Sequence, residues 1–356
     1  MAGAWKQLSQ RLGVEHPIIL APMAGGPGTP ELVAAVSNAG GLGSLGAAYL
    51  TPEQIASDVR RIRELTSRPF NVNLFAGGIE TRRVDPGPML ATLGDVHRSL
   101  GLPPPALPPT PVDPFPAQLE AVLESRAPVF SFTFGIPPAE ALARVRARGV
   151  AIVGTATTVQ EGRLLAEAGV DAIVAQGAEA GAHRGTFAAP FETAMVPTLE
   201  LVSGMVKEVD VPVIASGGLM DGRDIAAALR AGAAAAQLGT AFLACPESGA
   251  SEAYKKAILD AAKDTTVVTR AYSGRPARGL KNAFIERLEG KEDTILPYPV
   301  QNALTRPMRT AAAKRGDSGY LSLWAGQGVA RVRALPAAEL VRRLVEEMEA
   351  PEGDKV

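Results

Sequence analysis

A chain of 356 residues that is 46% hydrophobic and 21% charged has the composition of an ordinary soluble globular protein with enough material for a large core. Its net charge of -1 gives no electrostatic reason to expect nucleic acid or an acidic membrane surface as a partner. One cysteine, Cys245, and three histidines exclude an internal disulfide and leave little for a transition-metal site, and the absence of any apolar stretch near 18 residues or of a signal-type leader points to a cytoplasmic protein.

Eight short apolar runs follow at near-regular spacing, at residues 17–23, 41–46, 70–75, 129–135, 150–156, 172–177, 211–218 and 235–242. They are rich in Val, Ile and Ala with little polar alternation, as strands buried on both faces must be. Helical text lies between most of them. Thr51-Pro52-Glu53-Gln54 reads as a capping box with proline at the first helical position, and Thr158 with Glu161 as a second. Asp221 opens a helix that Gly232 ends. Strand and helix alternating eight times predict an α/β fold, a (β/α)8 TIM barrel, with its chemistry on the C-terminal ends of the strands.

Such a barrel needs about 250 residues, so a second, smaller region is expected. Residues 1–245 supply the barrel, interrupted at about 78–116 by an irregular Pro-rich excursion that includes GLPPPALPPTPVDPFP. Residues 246–323, with SGRPARG and PYPVQN, read as a cap over the barrel mouth. Residues 324–356 return to the barrel, and 337–348 form an amphipathic helix with Leu340, Leu344 and Val345 on one face.

The strand ends name the candidate site. Gly217-Gly218 and Gln237-Leu238-Gly239-Thr240 fall after the seventh and eighth runs, where these barrels frequently bind phosphate; glycine lets backbone N–H groups approach an anion, though glycines that merely turn the chain would look the same. Ala21-Pro22-Met23 ends the first run, and Asn71 and Asn73 share one side of the third. Their buried amides need partners, either neighbouring backbone or a planar heterocycle with ring nitrogens and oxygens. After the sixth run, Gln176 leads into a loop of small residues holding Gly181, His183 and Arg184. An imidazole there stands where a ligand would be, suited to proton transfer near neutral pH. His16 and His97 lie away from the strand ends and read as structural; Cys245, with no activating neighbour, reads as a small buried apolar residue.

Together APMAGGPGTPELVAAVSNAGGLGSLG, PFNVNLF, FTFGIP, GTATT, DAIVAQGAEAGAHRG, VPVIASGGLMDGRDI, AAQLGTAFLACPESGAS, VTRAYSGRPARGLKN and YPVQN resemble the nitronate monooxygenase (2-nitropropane dioxygenase) family of the bacterial class I type, over about residues 12–328. The resemblance implies noncovalent FMN. Ala21, Pro22 and Met23 would contact the flavin, with Met23 under the ring; Asn73 and Gln176 would meet its edges. Gly181, Gly217, Gly218, Gln237, Leu238, Gly239 and Thr240 would hold the ribityl phosphate. His183 would be catalytic, hydrogen-bonding the nitro oxygens or acting as base for neutral nitroalkanes. Tyr298 resembles a substrate-side tyrosine of the cap, while Asn302 and Arg306 stand near places where some members carry a tyrosine and a lysine. The implied reaction is oxidation of an alkyl nitronate, propionate 3-nitronate above all, by O2 to a carbonyl compound and nitrite, with detoxification as a fitting role. The substrate carboxylate would draw on Arg278, Lys281, Arg306 or Tyr298. The implied partners are therefore a small nitronate and O2, in a chain free to form a homo-oligomer. The nearest alternative is an FMN-dependent enoyl-acyl carrier protein reductase using NAD(P)H; a catalytically silent flavin carrier is a third reading.

Overall fold

The computed structural model describes residues 2–77, 79–80 and 82–350; residues 78 and 81 of the expected excursion and 351–356 of the expected C-terminal segment lie outside the described residues. Eight strands stand where the apolar runs place them. They are β1 (Ile18–Leu20), β2 (Gly43–Gly46), β3 (Phe70–Phe75), β4 (Val129–Thr133), β5 (Ala151–Ala156) and β6 (Ala172–Gln176), then β8 (Val213–Ser216) and β9 (Ala235–Leu238). Between these last groups a two-residue strand, β7 (Ala182–His183), belongs to another sheet.

The eight are parallel neighbours in the order β1-β9-β8-β6-β5-β4-β3-β2. A parallel bridge from Ile19 to Leu42 joins the two edges, with Leu42 N donating to Ile18 O at 3.0 Å and Leu20 N to Leu42 O at 2.9 Å. The sheet is a (β/α)8 TIM barrel. Its strands are shorter than the apolar runs because the chain leaves the ladder as soon as it reaches the mouth; residues 240–242, for instance, form a 3-10 turn.

Burial explains which end carries the site. Ile19, Val129, Val153, Val174 and Ile214 fill the lower barrel interior, and Leu8 and Leu12 of the N-terminal helix Ala2–Leu12 plug it from below. Outside, Leu340, Val341 and Leu344 of the helix Ala337–Glu349 join the layer between strands and helices. With apolar side chains closing the bottom, the open end is the C-terminal one.

Two sequence expectations are corrected locally. The excursion is not wholly irregular: it contains the helix Gly87–Ser99, whose Met89, Leu93 and Val96 are buried with Tyr272, Phe284, Leu304 and Met308 of the region above the barrel mouth. That apolar contact stabilises a helix whose interior Gly94 weakens it. His97 lies on it, buried, and donates from Nδ1 to Pro103 O at 2.6 Å, so its role is structural. Thr158 caps its helix by accepting from Glu161 N, as Thr51 does from Gln54 N, but only Gln54 completes the box. Glu161 turns its carboxylate away instead, toward the loop that carries His183.

A three-stranded antiparallel sheet, β10 (Thr266–Thr269), β11 (Ala277–Leu280) and β7, lies over the mouth. Ala277 pairs with His183 and Arg278 with Ala182. The barrel loop after β6 is thereby stitched into the cap.

Candidate active site

A cavity of about 830 Å³ opens at the C-terminal ends of the strands. Ala21, Pro22, Met23, Asn73, Gln176, Gly181, His183, Gly217, Gly218, Gln237, Leu238, Gly239 and Thr240 all line it, so one space gathers residues spread over more than two hundred positions. On one wall Gly217 and Gly218 adopt φ of 133° and 71°, conformations open to glycine at little cost. Among the described residues, the amides of Gly218 and Leu219 donate to no protein group. A Cβ on Gly217 would come within 2.6 Å of Thr198 Oγ1, and one on Gly218 within 2.9 Å of the Glu179 Cβ. Bare N–H groups in a concave, glycine-lined turn suit an anion. Beside them the 3-10 turn Thr240–Phe242 starts after Gly239, and Thr240 Oγ1 accepts from Gly326 N at 2.9 Å, which pins the C-terminal segment onto the cradle.

The floor is polar. Asn73 Nδ2 donates to Ser131 Oγ at 2.9 Å, which leaves its carbonyl toward the cavity; below it Asn71 Nδ2 donates to Ser44 and Ser131, and its buried Oδ1 has no protein partner. Gln237 Nε2 donates to Ser216 Oγ at 3.3 Å. Gln176 does more than face the cavity: its Nε2 donates to His183 O at 3.0 Å and its Oε1 accepts from Gly185 N at 2.8 Å. That amide therefore holds the histidine loop.

Two further groups brace the same loop. The guanidinium of Arg184, 1% exposed, donates to the carbonyls of Gly177, Gln176 and Ala194; burial lowers its pKa to about 10. Fully buried Glu161 accepts from Thr157 N, Thr157 Oγ1, Phe187 N and Ala188 N. Fixed in this way, Ala182 holds a left-handed φ of 61°, an uncommon conformation that the surroundings must enforce. His183 follows it, with its ring against Trp324 at 5.5 Å, Phe134 at 5.9 Å and Tyr298 at 6.2 Å. Burial first, then the positive charges of Arg275 and Arg309, lower the imidazole pKa to about 3, so the ring is neutral at physiological pH.

The roof is cationic. The helix Val300–Arg315 presents Asn302, Arg306, Arg309, Thr310 and Lys314 to the cavity. Arg309 donates to Asn302 O at 2.7 Å and Asn302 Oδ1 at 2.9 Å, yet its buried Nε has no partner. Burial lowers its pKa to about 10, and no carboxylate pairs with it among the described residues. Arg306 lies 5.8 Å from the Tyr49 ring centroid.

Other expected cap contacts are placed elsewhere. Arg278 does not line the cavity: its guanidinium donates to Ala178 O at 3.0 Å and Thr266 Oγ1 at 3.3 Å, beneath the histidine loop. Lys281 sits in ion pairs with Glu286 and Glu289. Tyr298, 6% exposed, stands behind the His183 ring rather than on the cavity surface. Burial raises the thiol of Cys245 to about 12, an inert buried group. Sequence reading passed over Tyr49, Phe134, Arg309 and Trp324, which the cavity includes. Only FTFGIP, holding Phe134, stood out in the text; the others come from distant segments with no local pattern.

The sequence profile of the nitronate monooxygenase family matches residues 6–347. The chain belongs to the nitronate monooxygenase family. It is 41% identical over 344 residues to a protein of Staphylococcus aureus (strain Newman) named "probable nitronate monooxygenase", covering 96% of this chain and 97% of that one. A solved structure titled as nitroalkane oxidase from Streptomyces ansochromogenes aligns with a TM-score of 0.89 at 42% identity, over 96% of this chain and 97% of the other. FabK from Thermotoga maritima is more distant, at 29% identity and a TM-score of 0.77 over 96% of each chain. As a family member this nitronate monooxygenase homologue is an oxidoreductase.

Proposed function

We propose that the protein oxidises alkyl nitronates with FMN and O2 to a carbonyl compound and nitrite, and that propionate 3-nitronate is a favoured substrate. The observation that carries this reading is a neutral histidine facing a cavity whose roof holds arginines without acidic partners among the described residues. Such a pocket favours a ready-made anion. A base with a pKa near 3 is weak for removing a proton from carbon, whereas a nitronate arrives already deprotonated and meets Arg306 and Arg309. Its approach in turn favours the protonated form of His183.

The fit to FMN rests on the chain's own groups. Gly217, Gly218, Gly239 and Thr240 offer the phosphate an open backbone, Met23 lies on the cavity floor, and Asn73, with a carbonyl to spare, can meet a polar ring edge. Bound there, FMN would supply the electron-accepting chemistry and the reaction with O2. The protein's part is to orient the nitronate carbon, offset its charge with the roof arginines, and exclude bulk water with Phe134 and Trp324.

The test begins with the purified protein: a yellow colour and heat-released FMN are expected. Adding propionate 3-nitronate under air should consume O2 and release nitrite. Arg309→Met keeps most of the side-chain volume and removes the charge, so KM for propionate 3-nitronate should rise about tenfold or more while an uncharged alkyl nitronate changes little. FAD in place of FMN, or rapid anaerobic bleaching by NADPH without nitronate turnover, would overturn the reading and favour the reductase.

A further inference from the structure

The SGRPARG segment finds no use in the flavin site or the roof. Its Ser273, 1% exposed, stands 2.8 Å from His183 Nε2 through its Oγ. The same oxygen lies 3.1 Å from Arg275 O, to which it donates, and 3.2 Å from Arg275 N, from which it accepts. Gly274, with φ of 86°, makes this turn possible: a Cβ there would fall 2.3 Å from Leu296 O.

A serine hydroxyl has one hydrogen and accepts with two lone pairs. If that hydrogen went to His183, Arg275 O would have no donor among the described residues, and His183 would have to carry its proton on Nδ1. With the hydrogen on Arg275 O, every group is satisfied: Oγ accepts from Arg275 N and from a protonated Nε2. The second arrangement makes one more hydrogen bond, a difference that matters in a buried site. Nδ1 has no protein partner among the described residues and is the nitrogen left to the cavity.

We propose that Ser273 is a positioning residue that holds His183 as the Nε2–H tautomer and leaves Nδ1 as the bare nitrogen meeting the substrate. The role of that nitrogen follows. It accepts a proton and donates nothing until it has one, so it is the nitrogen that takes the proton from a neutral nitroalkane, slowly because it is a weak base until the developing nitronate charge stands beside it. The oxygens of a preformed nitronate take their donors from the roof. Arg275 supports the arrangement from the other side. Its guanidinium lies 3.9 Å from the Phe134 ring centroid and donates to Thr186 O. With Arg309 it opposes an imidazolium. The remaining neighbours of the ring, Phe134, Tyr298 and Trp324, carry no charge at neutral pH.

The proposal rests on the reading of His183 as substrate-facing, and its test separates the two. Histidine labelled with 15N gives three imidazole pairs in this chain, and loss of one pair in His183→Asn assigns it. In the flavin-loaded protein at neutral pH, His183 should show a protonated Nε2 and a bare Nδ1. Ser273→Ala should lose that pattern for a mixed or Nδ1–H form and keep its flavin. Its kcat/KM for neutral nitroalkanes should fall about tenfold, and that for nitronates should change by less than about threefold; Ser273→Thr, which restores the hydroxyl, should recover most of the loss. An Nδ1–H tautomer in the wild type overturns the proposal even if nitronates turn over. An unaltered tautomer and nitroalkane rate in Ser273→Ala do the same. If the alanine variant does not fold, the wild-type spectrum alone decides. A wild type with the expected tautomer and no turnover of either substrate form removes the proposed function and leaves the tautomer assignment standing.

Discussion

His183 shows how a single residue can be legible in its place and illegible in its state. Its position in a loop of small residues after the sixth apolar run marks it out in the sequence. Its neutrality is set first by burial and then by the charges of Arg275 and Arg309, roughly 90 and 125 residues away, and no local pattern announces them. That neutrality has a measurable cost. The unfolded chain protonates this histidine near its ordinary pKa of about 6.5, whereas the folded protein resists protonation down to about 3. Between those values the unfolded state binds the extra proton, so the contribution of His183 to stability is intact above about pH 6.5 and is lost as pH falls toward 3. The slope for one such group approaches about 1.4 kcal/mol per pH unit. Thermal unfolding of the wild type and of His183→Asn from pH 7 to pH 4.5 isolates it, since other titrations are common to both. The wild type should lose stability relative to the variant as pH falls; parallel curves would mean that the imidazole is solvated and protonates normally.

At the scale of elements, the barrel strands were readable because fully buried parallel strands concentrate Val, Ile and Ala between helix caps and glycine stops. The helix Gly87–Ser99 was not. Its interior Gly94 lowers its propensity, its N-cap residue supplies no side-chain hydrogen bond, and its apolar face has meaning only against Tyr272, Leu304 and Met308. The bracing of the histidine loop by Gln176, Arg184 and Glu161 was hidden for a related reason: in the sequence they read as a flavin-facing amide, a charge beside the histidine and a helix cap, and their bracing role exists only once the loop folds over them. The glycines expected to hold a phosphate lie together on one cavity wall, and their backbone angles choose the better probe. Gly218→Asp would suffer from a φ of 71° and from crowding at Glu179, so a loss of flavin there would mix strain with charge repulsion. Gly239 has φ of -112°, and an added Cβ would meet only Ala21 Cβ at 3.3 Å and Met23 Sδ at 3.9 Å. Gly239→Asp should therefore keep the barrel's far-UV spectrum while purifying without flavin, because its carboxylate would repel the phosphate. Stoichiometric FMN in that variant would move the phosphate site away from β9.

For the whole molecule, the barrel and the region above its mouth keep separate apolar interiors. Ile18, Val72, Phe130 and Ile173 belong to one, Met89, Tyr272, Phe284 and Met308 to another, and the cavity lies where they face each other. None of these buried side chains needs a ligand to complete its packing. Removing the flavin should thus leave a folded protein, with native far-UV spectrum and the apolar core intact, rather than an unfolded chain. The glycine cradle and the polar floor would lose the group proposed to lie on them, and the stability lost follows mass action: at free FMN a hundredfold above its Kd, binding contributes about 2.7 kcal/mol. In a protein of this size that amounts to a Tm difference of about 4 °C, recoverable by adding FMN and rising with its concentration. Differential scanning measurements on stripped and reconstituted protein across a range of FMN concentrations would show it. A stripped protein that is already unfolded would place the flavin within the folding core. A Tm indifferent to FMN would mean that the cavity between the two interiors holds something else.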